Sequence, residues 1–424
     1  MTEITVFFIF SVLILLRPTL IPYFSLLYLF TTGLASREFI SGLKITLGSV
    51  NVFPLDLLYA LSSIFAFIFT IKIITNNKFK INNSTETKIM SMFVFFFIAL
   101  FFGKLINGFL DNLPLDSLLR MFMTDTQVLY FFLPLVIYKA NSQLKNLIIF
   151  TVFLTLIFPL YQPFLINSED TKFALRAQDT LRLGYGDGNI LLGLGATALL
   201  SWEYKKYLTF LPLSGILMLG HRSSFIAIAL SFMAISFLKG KKIQTFVLMG
   251  LAGLLVIIGL TALQSFTNIN MLDKLLNRVE KTFEPTKTTV VRARVFPIVI
   301  EELQKRPYTG LDYQEFHEVI KRADHSPLDF NISHPHNFVY SSLMNTGIIG
   351  TLLMFTILIK SLMAAYKLAK TKDYKTQGAF LFSAILFFLV FSAMNTTMTT
   401  VGYVVWFLCG TTFWFFNQYK ATNR

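Results

Sequence analysis

The sequence predicts an all-α polytopic integral membrane protein, with about twelve transmembrane helices and one large external loop containing amphipathic helices. Three observations carry that expectation. The 424 residues are 54% hydrophobic and 14% charged, with 47 Phe. A soluble domain is about 25% charged, so this composition cannot cover a soluble surface. Apolar stretches approaching the roughly 20 residues that cross a bilayer recur along the chain. Finally, Lys and Arg concentrate in alternate loops. The single Cys, Cys409, excludes an internal disulfide framework and a thiolate metal cluster.

The first apolar stretch, Ile4–Phe30, is interrupted by Arg17-Pro18, which either kinks one helix or separates two short ones. No small-x-small cleavage site follows, so it reads as an uncleaved span rather than a signal peptide. Further spans are expected at Leu55–Thr75, Met90–Ile106, Gln127–Tyr138, Leu147–Ile166, Ile190–Trp202, Leu208–Gly220, Ser224–Leu238 and Thr245–Leu263. Phe338–Ala365, Ala379–Met394 and Val401–Phe416 complete the series. No internal repeat or separate soluble domain stands out, so residues 1–424 read as a single membrane domain.

The net charge of +14 would suggest a nucleic-acid partner if it were clustered on one soluble face. It is not. Lys78, Lys80, Lys88, Lys139, Lys145, Lys205, Lys206, Lys239, Lys241, Lys242, Lys367, Lys370, Lys372, Lys375, Lys420 and Arg424 lie in alternate short loops and the C-terminus, with only Glu86, Glu203 and Asp373 among them. The positive-inside rule makes these segments, and the C-terminus, cytoplasmic. No nucleic acid is expected; the bilayer is the expected surroundings.

The opposite side carries the larger loops, above all residues 264–337, where ten basic residues balance ten acidic ones. Within that loop, Val290–Lys305 has Phe296, Ile300 and Leu303 on one stripe of a helix. Pro297 is tolerated in a first turn, so the regular part is expected to begin near Phe296.

Four constellations on this side bear on chemistry. At Gly220-His221-Arg222-Ser223-Ser224 two spans meet with almost no loop. Arg222 is then either a snorkelling interfacial arginine or a planar fork for phosphate oxygens. Arg182-Leu183-Gly184-Tyr185-Gly186-Asp187-Gly188-Asn189 precedes a span; it is a plain turn, or a backbone open enough to admit a headgroup beside Arg182. Arg292 and Arg294 open the amphipathic helix, where the macrodipole disfavours cations. They form a solvated basic turn or face an anion. Ser333-His334-Pro335-His336-Asn337 holds two of only five His, at the mouth of a span. An imidazole there can take and return a proton near neutral pH. No carboxylate or thiol stands at ligand spacing beside the pair, so no metal and no cofactor is expected.

These residues resemble the O-antigen ligase / O-antigen polymerase family of bacterial envelope glycosyltransferases. The most specific piece is His336-Asn337 followed by Gly347 and Gly350, with His334-Pro335 ahead of it. Arg292, Phe296 and Pro307–Gly310 fit the family's Arg, aromatic and Pro-x-x-Gly series. Arg222 matches its arginine at an external corner, and Arg182, Gly184 and Asn189 match more loosely. Asn345 departs from the pattern, because many relatives carry an acid there.

The resemblance implies a GT-C-like fold in the bacterial cytoplasmic (inner) membrane, with its active site facing the periplasm or exterior. It implies transfer of a glycan from an undecaprenyl-diphosphate carrier to an acceptor hydroxyl. Arg222, Arg292 and Arg182 would hold the diphosphate, with His336 as base and His334 as its companion. Asn337, His221 and Arg294 would support them. The acceptor is a second lipid-linked glycan (polymerase, the leading reading), lipid A–core (ligase), or a protein hydroxyl. A chain-length regulator is a partner consistent with the first. A lipid-linked-sugar flippase is the alternative from another class. It is disfavoured because no repeated halves appear and the notable polar residues gather at one face rather than the midplane. A carboxylate base among Asp111, Asp116 and Asp125 is the alternative within the chemistry.

Overall fold

The structure, a computed structural model, describes residues 16–34, 45–47, 50–52, 64–65, 67–68, 71, 85–110, 112, 118, 126–138, 141–162, 186–202, 207–240, 250, 287–311, 337–394 and 402–422. Its helices are α1 (Ile21–Leu34), α2 (Thr85–Leu110), α3 (Leu133–Ile137), α4 (Asn141–Tyr161), α5 (Gly186–Ser201), α6 (Phe210–Leu219), α7 (Arg222–Lys239), α8 (Lys287–Lys305), α9 (Phe338–Ala369), α10 (Lys375–Ala393) and α11 (Tyr403–Thr422). One departure from the all-α expectation is a small antiparallel hairpin, β1 (Ile45–Leu47) with β2 (Val50–Val52), in which Ile45 faces Val52.

Among the described residues, four helices are long and apolar enough to cross a membrane: Met90–Leu110, Ser142–Tyr161, Phe338–Ala369 and Lys375–Ala393. The first three present large apolar side chains outward, for example Phe102, Phe153 and Leu352. That is the surface lipid requires and water penalises. Inward, serine and threonine hydroxyls donate to the carbonyl four residues back, as in Ser25 to Ile21, Thr151 to Leu147, Ser361 to Ile357 and Thr412 to Leu408. A buried hydroxyl satisfied by its own helix costs nothing to the apolar packing around it. Ser231 adds a bond across helices, its Oγ lying 3.1 Å from the Ser383 carbonyl and tying α7 to α10.

Several expected boundaries change. The interruption at Arg17-Pro18 is real: a short 3-10 turn, Pro18–Leu20, leads into α1. Gln127–Tyr138, expected as a span, is instead a 3-10 segment, Thr126–Phe131, followed by the five-residue α3, whose first turn contains Pro134. At 2.0 and 1.5 Å per residue the two pieces reach only about 20 Å. They are packed against α11 through Tyr130 on Tyr403 (5.3 Å) and Phe131 on Phe413 (5.9 Å). The expected span at Leu147–Ile166 begins earlier, at Asn141. Leu55–Thr75, beyond a few helical residues, and Thr245–Leu263, beyond Gly250, lie outside the described residues.

The bundle has two chemically distinct ends. At one, Lys239 donates to the Ser201 and Leu200 carbonyls that close α5, and Lys370 lies 5.8 Å from the Phe237 ring near the end of α7. Lys367 and Lys420 both sit over Phe416 of α11, at 5.8 and 4.8 Å. Lys145 shares a cleft with Trp202 there. Lysines at helix C-termini meet the negative ends of the dipoles. The other end gathers the close of α1 and α6 and the start of α5, α7 and α9. A Cβ on Gly33 would come within 2.7 Å of the Gly188 Cα, so α1 and α5 touch backbone to backbone there.

Candidate functional site

Two assemblies occupy the end remote from the lysines. The first is the α6–α7 corner. Gly220 takes the left-handed conformation (φ 61°), which glycine adopts without steric cost, and its N–H closes on the Ile216 and Leu217 carbonyls. His221 is extended (φ −85°, ψ 116°) and Arg222 begins α7. The expected loop-free corner is therefore present. The His221 ring meets Phe391 of α10 edge-on at 6.3 Å. Ser224 Oγ donates to Asn189 Oδ1 at 2.6 Å, with both residues wholly buried.

That bond joins two of the four sequence constellations, 35 residues apart. It also corrects one of them. Gly186 through Asn189, expected to precede the span as a turn, form the first turn of α5 itself, with Asp187 at the positive end of its dipole.

The second assembly is a joint between α8 and α9. The amphipathic helix α8 starts at Lys287, ten residues before Pro297, which is therefore interior. Arg292 and Arg294 accordingly lie in its second and third turns rather than opening it. Pro297 is exposed, so the N–H it lacks falls on the outer side, where losing one ladder bond is tolerated. Val299 and Leu303 are buried while Phe296 and Ile300 remain partly exposed. Glu302, buried, is paired with Lys305 at 2.9 Å. One turn after Arg292, the Phe296 ring lies 4.9 Å from Tyr340 of α9.

Beyond α8 the chain turns at Pro307–Gly310 and enters α9. In α9, Gly347 has φ 63° and ψ −169°, a conformation essentially confined to glycine. The break separates Met344 O from Ile348 N, which a regular helix would pair with each other. Both groups are taken by the turn: Leu311 N donates to Met344 O at 2.6 Å, and Ile348 N donates to Pro307 O at 2.8 Å. Lys104 Nζ of α2 donates to the Leu311 carbonyl at 3.0 Å. The break turns α9 back along itself: Thr351 Oγ1 reaches Ser342 Oγ at 3.2 Å, and the Phe338 and Phe355 rings, 17 residues apart, lie 5.8 Å from each other.

At the start of α9, Asn337 caps the helix. Its Oδ1 accepts from Val339 N (2.8 Å) and Tyr340 N (3.3 Å). A hydroxyl set, Ser342, Thr346 and Thr351, stitches the segment beside the break, with Thr351 Oγ1 donating to Ser342 Oγ at 3.2 Å.

Residues 207–355 match the family model for O-antigen ligase. The match covers about a third of the chain. The matched segment runs from the start of α6 through the break in α9, so it contains both assemblies. No curated protein matches the chain. Its long apolar helices give the chain the character of an integral membrane protein.

Of the expected O-antigen ligase site residues, Asn337 and His221 are placed with their side chains. Arg222, Arg292 and Arg294 are placed as backbone positions on α7 and α8. Arg182, His334 and His336, and the carboxylates Asp111, Asp116 and Asp125, lie outside the described residues. Lys104 of α2 joins the second assembly. Its signal was available, as a lysine inside the apolar run 90–106, and an ionisable residue in a membrane helix is a functional flag. An apolar cavity of about 60 Å³, lined by Ser25, Leu29, Leu147, Phe407 and Leu408, lies in the bundle core toward the lysine-rich half. It has no charged residue in its wall and is separate from both assemblies.

Proposed function

We propose that the chain transfers a glycan from an undecaprenyl-diphosphate carrier to an acceptor hydroxyl at the outer face of the bacterial cytoplasmic membrane. About twelve spans would cross that membrane, the segment 264–337 would form an external loop, and the C-terminus would be cytoplasmic. The observation that carries this reading is the α8–α9 joint. It draws the helix bearing Arg292 against the helix that begins one residue after Asn337, at the end of the bundle opposite the lysines. The corner bearing Arg222 opens at that same end.

The chemistry needs two things at the membrane edge. The donor's diphosphate leaving group is anionic and calls for fixed cations. Arg222, Arg292 and Arg182 supply guanidinium forks that stay charged and bind two oxygens at once. The acceptor hydroxyl must lose its proton as its oxygen attacks. His336 accepts that proton, the oxygen bonds to the anomeric carbon, and the bond to the diphosphate breaks with its electron pair leaving on phosphate. Displacement from the far face inverts the anomeric centre. His334 orients His336, and Asn337, His221 and Arg294 support the site. The donor is already activated, so the step calls for no nucleotide and no metal.

The acceptor is assigned as a second lipid-linked glycan, making the enzyme a surface-polysaccharide polymerase with a chain-length regulator as partner. The family's description, O-antigen ligase, supports lipid A–core as the second reading. The test is purified protein with a labelled lipid-linked glycan and each acceptor in turn. Transfer is expected in detergent, insensitive to EDTA, and absent from Arg222→Ala and His336→Ala at normal membrane levels. An active His336→Ala would remove the general base from the mechanism. Movement of the labelled lipid across a liposome with no new bond would make the protein a flippase instead.

A further inference from the structure

Lys104 sits in α2, within one of the four stretches long and apolar enough to span a membrane. A cation in such a helix finds a polar partner or moves to the interface. Here Nζ is half-buried and donates to the carbonyl of Leu311 at 3.0 Å, across 207 positions of sequence. Leu311 is not an arbitrary partner. Its N–H is the group that occupies Met344 O at the break in α9, at 2.6 Å. The same peptide segment is thus held by α9 through its N–H and by α2 through its C=O.

The two backbone bonds of the joint, Leu311 to Met344 and Ile348 to Pro307, fix the turn to α9. Ahead of the turn, α8 rests on α9 through Phe296 on Tyr340 at 4.9 Å. Lys104 adds a bond to the turn from a third helix, α2. We infer that Lys104 is a positioning residue for glycan transfer: it fixes the angle of α8 against α9, and with it the place of Arg292 relative to the start of α9. This rests on the proposed transferase reading, which puts the diphosphate at Arg292 and the base beside Asn337. Lys104 itself touches neither donor nor acceptor.

The experiment uses the full-length protein in nanodiscs, with Cys409 replaced by Ala and spin labels at Glu301→Cys on α8 and Lys372→Cys at the far end of α9. Lys104→Met, which keeps the length and removes the charge, is expected to broaden the distance distribution. It should lower kcat about tenfold, the scale of a small misplacement remote from the chemistry, with donor KM within a factor of about three. Lys104→Arg, which keeps charge and donors, should retain the narrow distribution and most of kcat. If Lys104→Met does not accumulate, Lys104→Gln gives the same comparison. An unchanged distribution in the neutral variant overturns the inference, as does a loss of kcat matched by an equal loss of folded protein. A broadened distribution in a protein that transfers no glycan, wild type included, upholds the latch and overturns the transferase reading.

Discussion

Met344 and Ile348 lie four residues apart in α9, on either side of the Gly347 break, and the backbone groups a regular helix would pair are each bonded to the turn at 307–311. The turn is in effect spliced into the helix ladder. Glycine is required on both sides of the splice. A Cβ on Gly310 would lie 2.4 Å from the Met344 carbonyl oxygen, and one on Gly347 would lie 2.4 Å from Tyr308 carbonyl atoms. Both residues also have positive φ. The sequence pattern that marks these glycines therefore records backbone against backbone, where no side chain has room.

Gly347→Ala is expected to open the joint. The strained backbone alone costs about 1–3 kcal/mol, and the contact with Tyr308 adds to it. Limited proteolysis should then cut near Arg306, which is exposed, faster than in wild type, and transfer should fall. Gly310→Ala should behave alike. Equal cleavage rates in mutant and wild type would show that the joint does not depend on this close approach.

The Ser224–Asn189 bond predicts a measurable coupling between the two constellations it joins. Ser224→Ala removes the donor from a wholly buried acceptor, which costs about 1–3 kcal/mol. Asn189→Ala should also destabilise, and the double variant should cost less than the sum, because the bond between the two residues can be lost only once. Thermal unfolding in detergent measures all three. Strict additivity would mean the pair does not hold α5 to α7.

Asn337 does two things at once: it caps α9 and it follows His336. Asn337→Ala should lose about 1 kcal/mol of helix-end stability and lower kcat with little change in donor KM. Asn337→Asp and Asn337→Ser keep an oxygen that accepts from Val339 and Tyr340, so both should retain most of the activity. An inactive Asn337→Ser at normal protein level would instead assign the amide group itself to the site.

Cys409 is fully buried within α11, beside Gly410, which packs onto the Phe131 backbone. It should resist maleimide in the folded protein and react after denaturation. Cysteines introduced singly at Glu301 and Lys372 should label freely, and from opposite sides of a sealed vesicle if the proposed orientation is right. Labelling of both from one side would overturn that topology.

Much of this architecture was legible because it rests on side-chain chemistry repeated over many residues. The apolar runs foretold α4, α9, α10 and α11, and the Arg17-Pro18 interruption marked the start of α1. The lysine clusters foretold a single basic end, which Lys239, Lys370 and Lys420 now define by contact. What stayed hidden follows from other physics. The splice of 307–311 into α9 is made of peptide N–H and C=O groups, which leave no trace in sequence beyond two glycines. The start of α8 is hidden because a proline commonly opens a helix, whereas Pro297 lies inside one. A helix anchored at its far end by that splice tolerates one missing ladder bond on its outer side. Residues 126–137 are apolar enough for a span, but periodicity does not reveal that Pro134 and packing on α11 hold them as a 3-10 segment and a short helix. Lys104 is a single charge in a long apolar run, and its carbonyl partner at Leu311 lies 207 positions away, where no local pattern shows it.

The splice also sets an order of assembly. The turn at 307–311 is synthesised before Met344 and Ile348, the partners of its Leu311 N–H and Pro307 C=O. Those two bonds can form only once α9 has been made and inserted. The turn and α8 therefore cannot reach their final geometry until a helix made later is in place. A chain halted before α9 would display the arginine-bearing helix with no seat for it, so maturation of the site is coupled to completion of the membrane bundle.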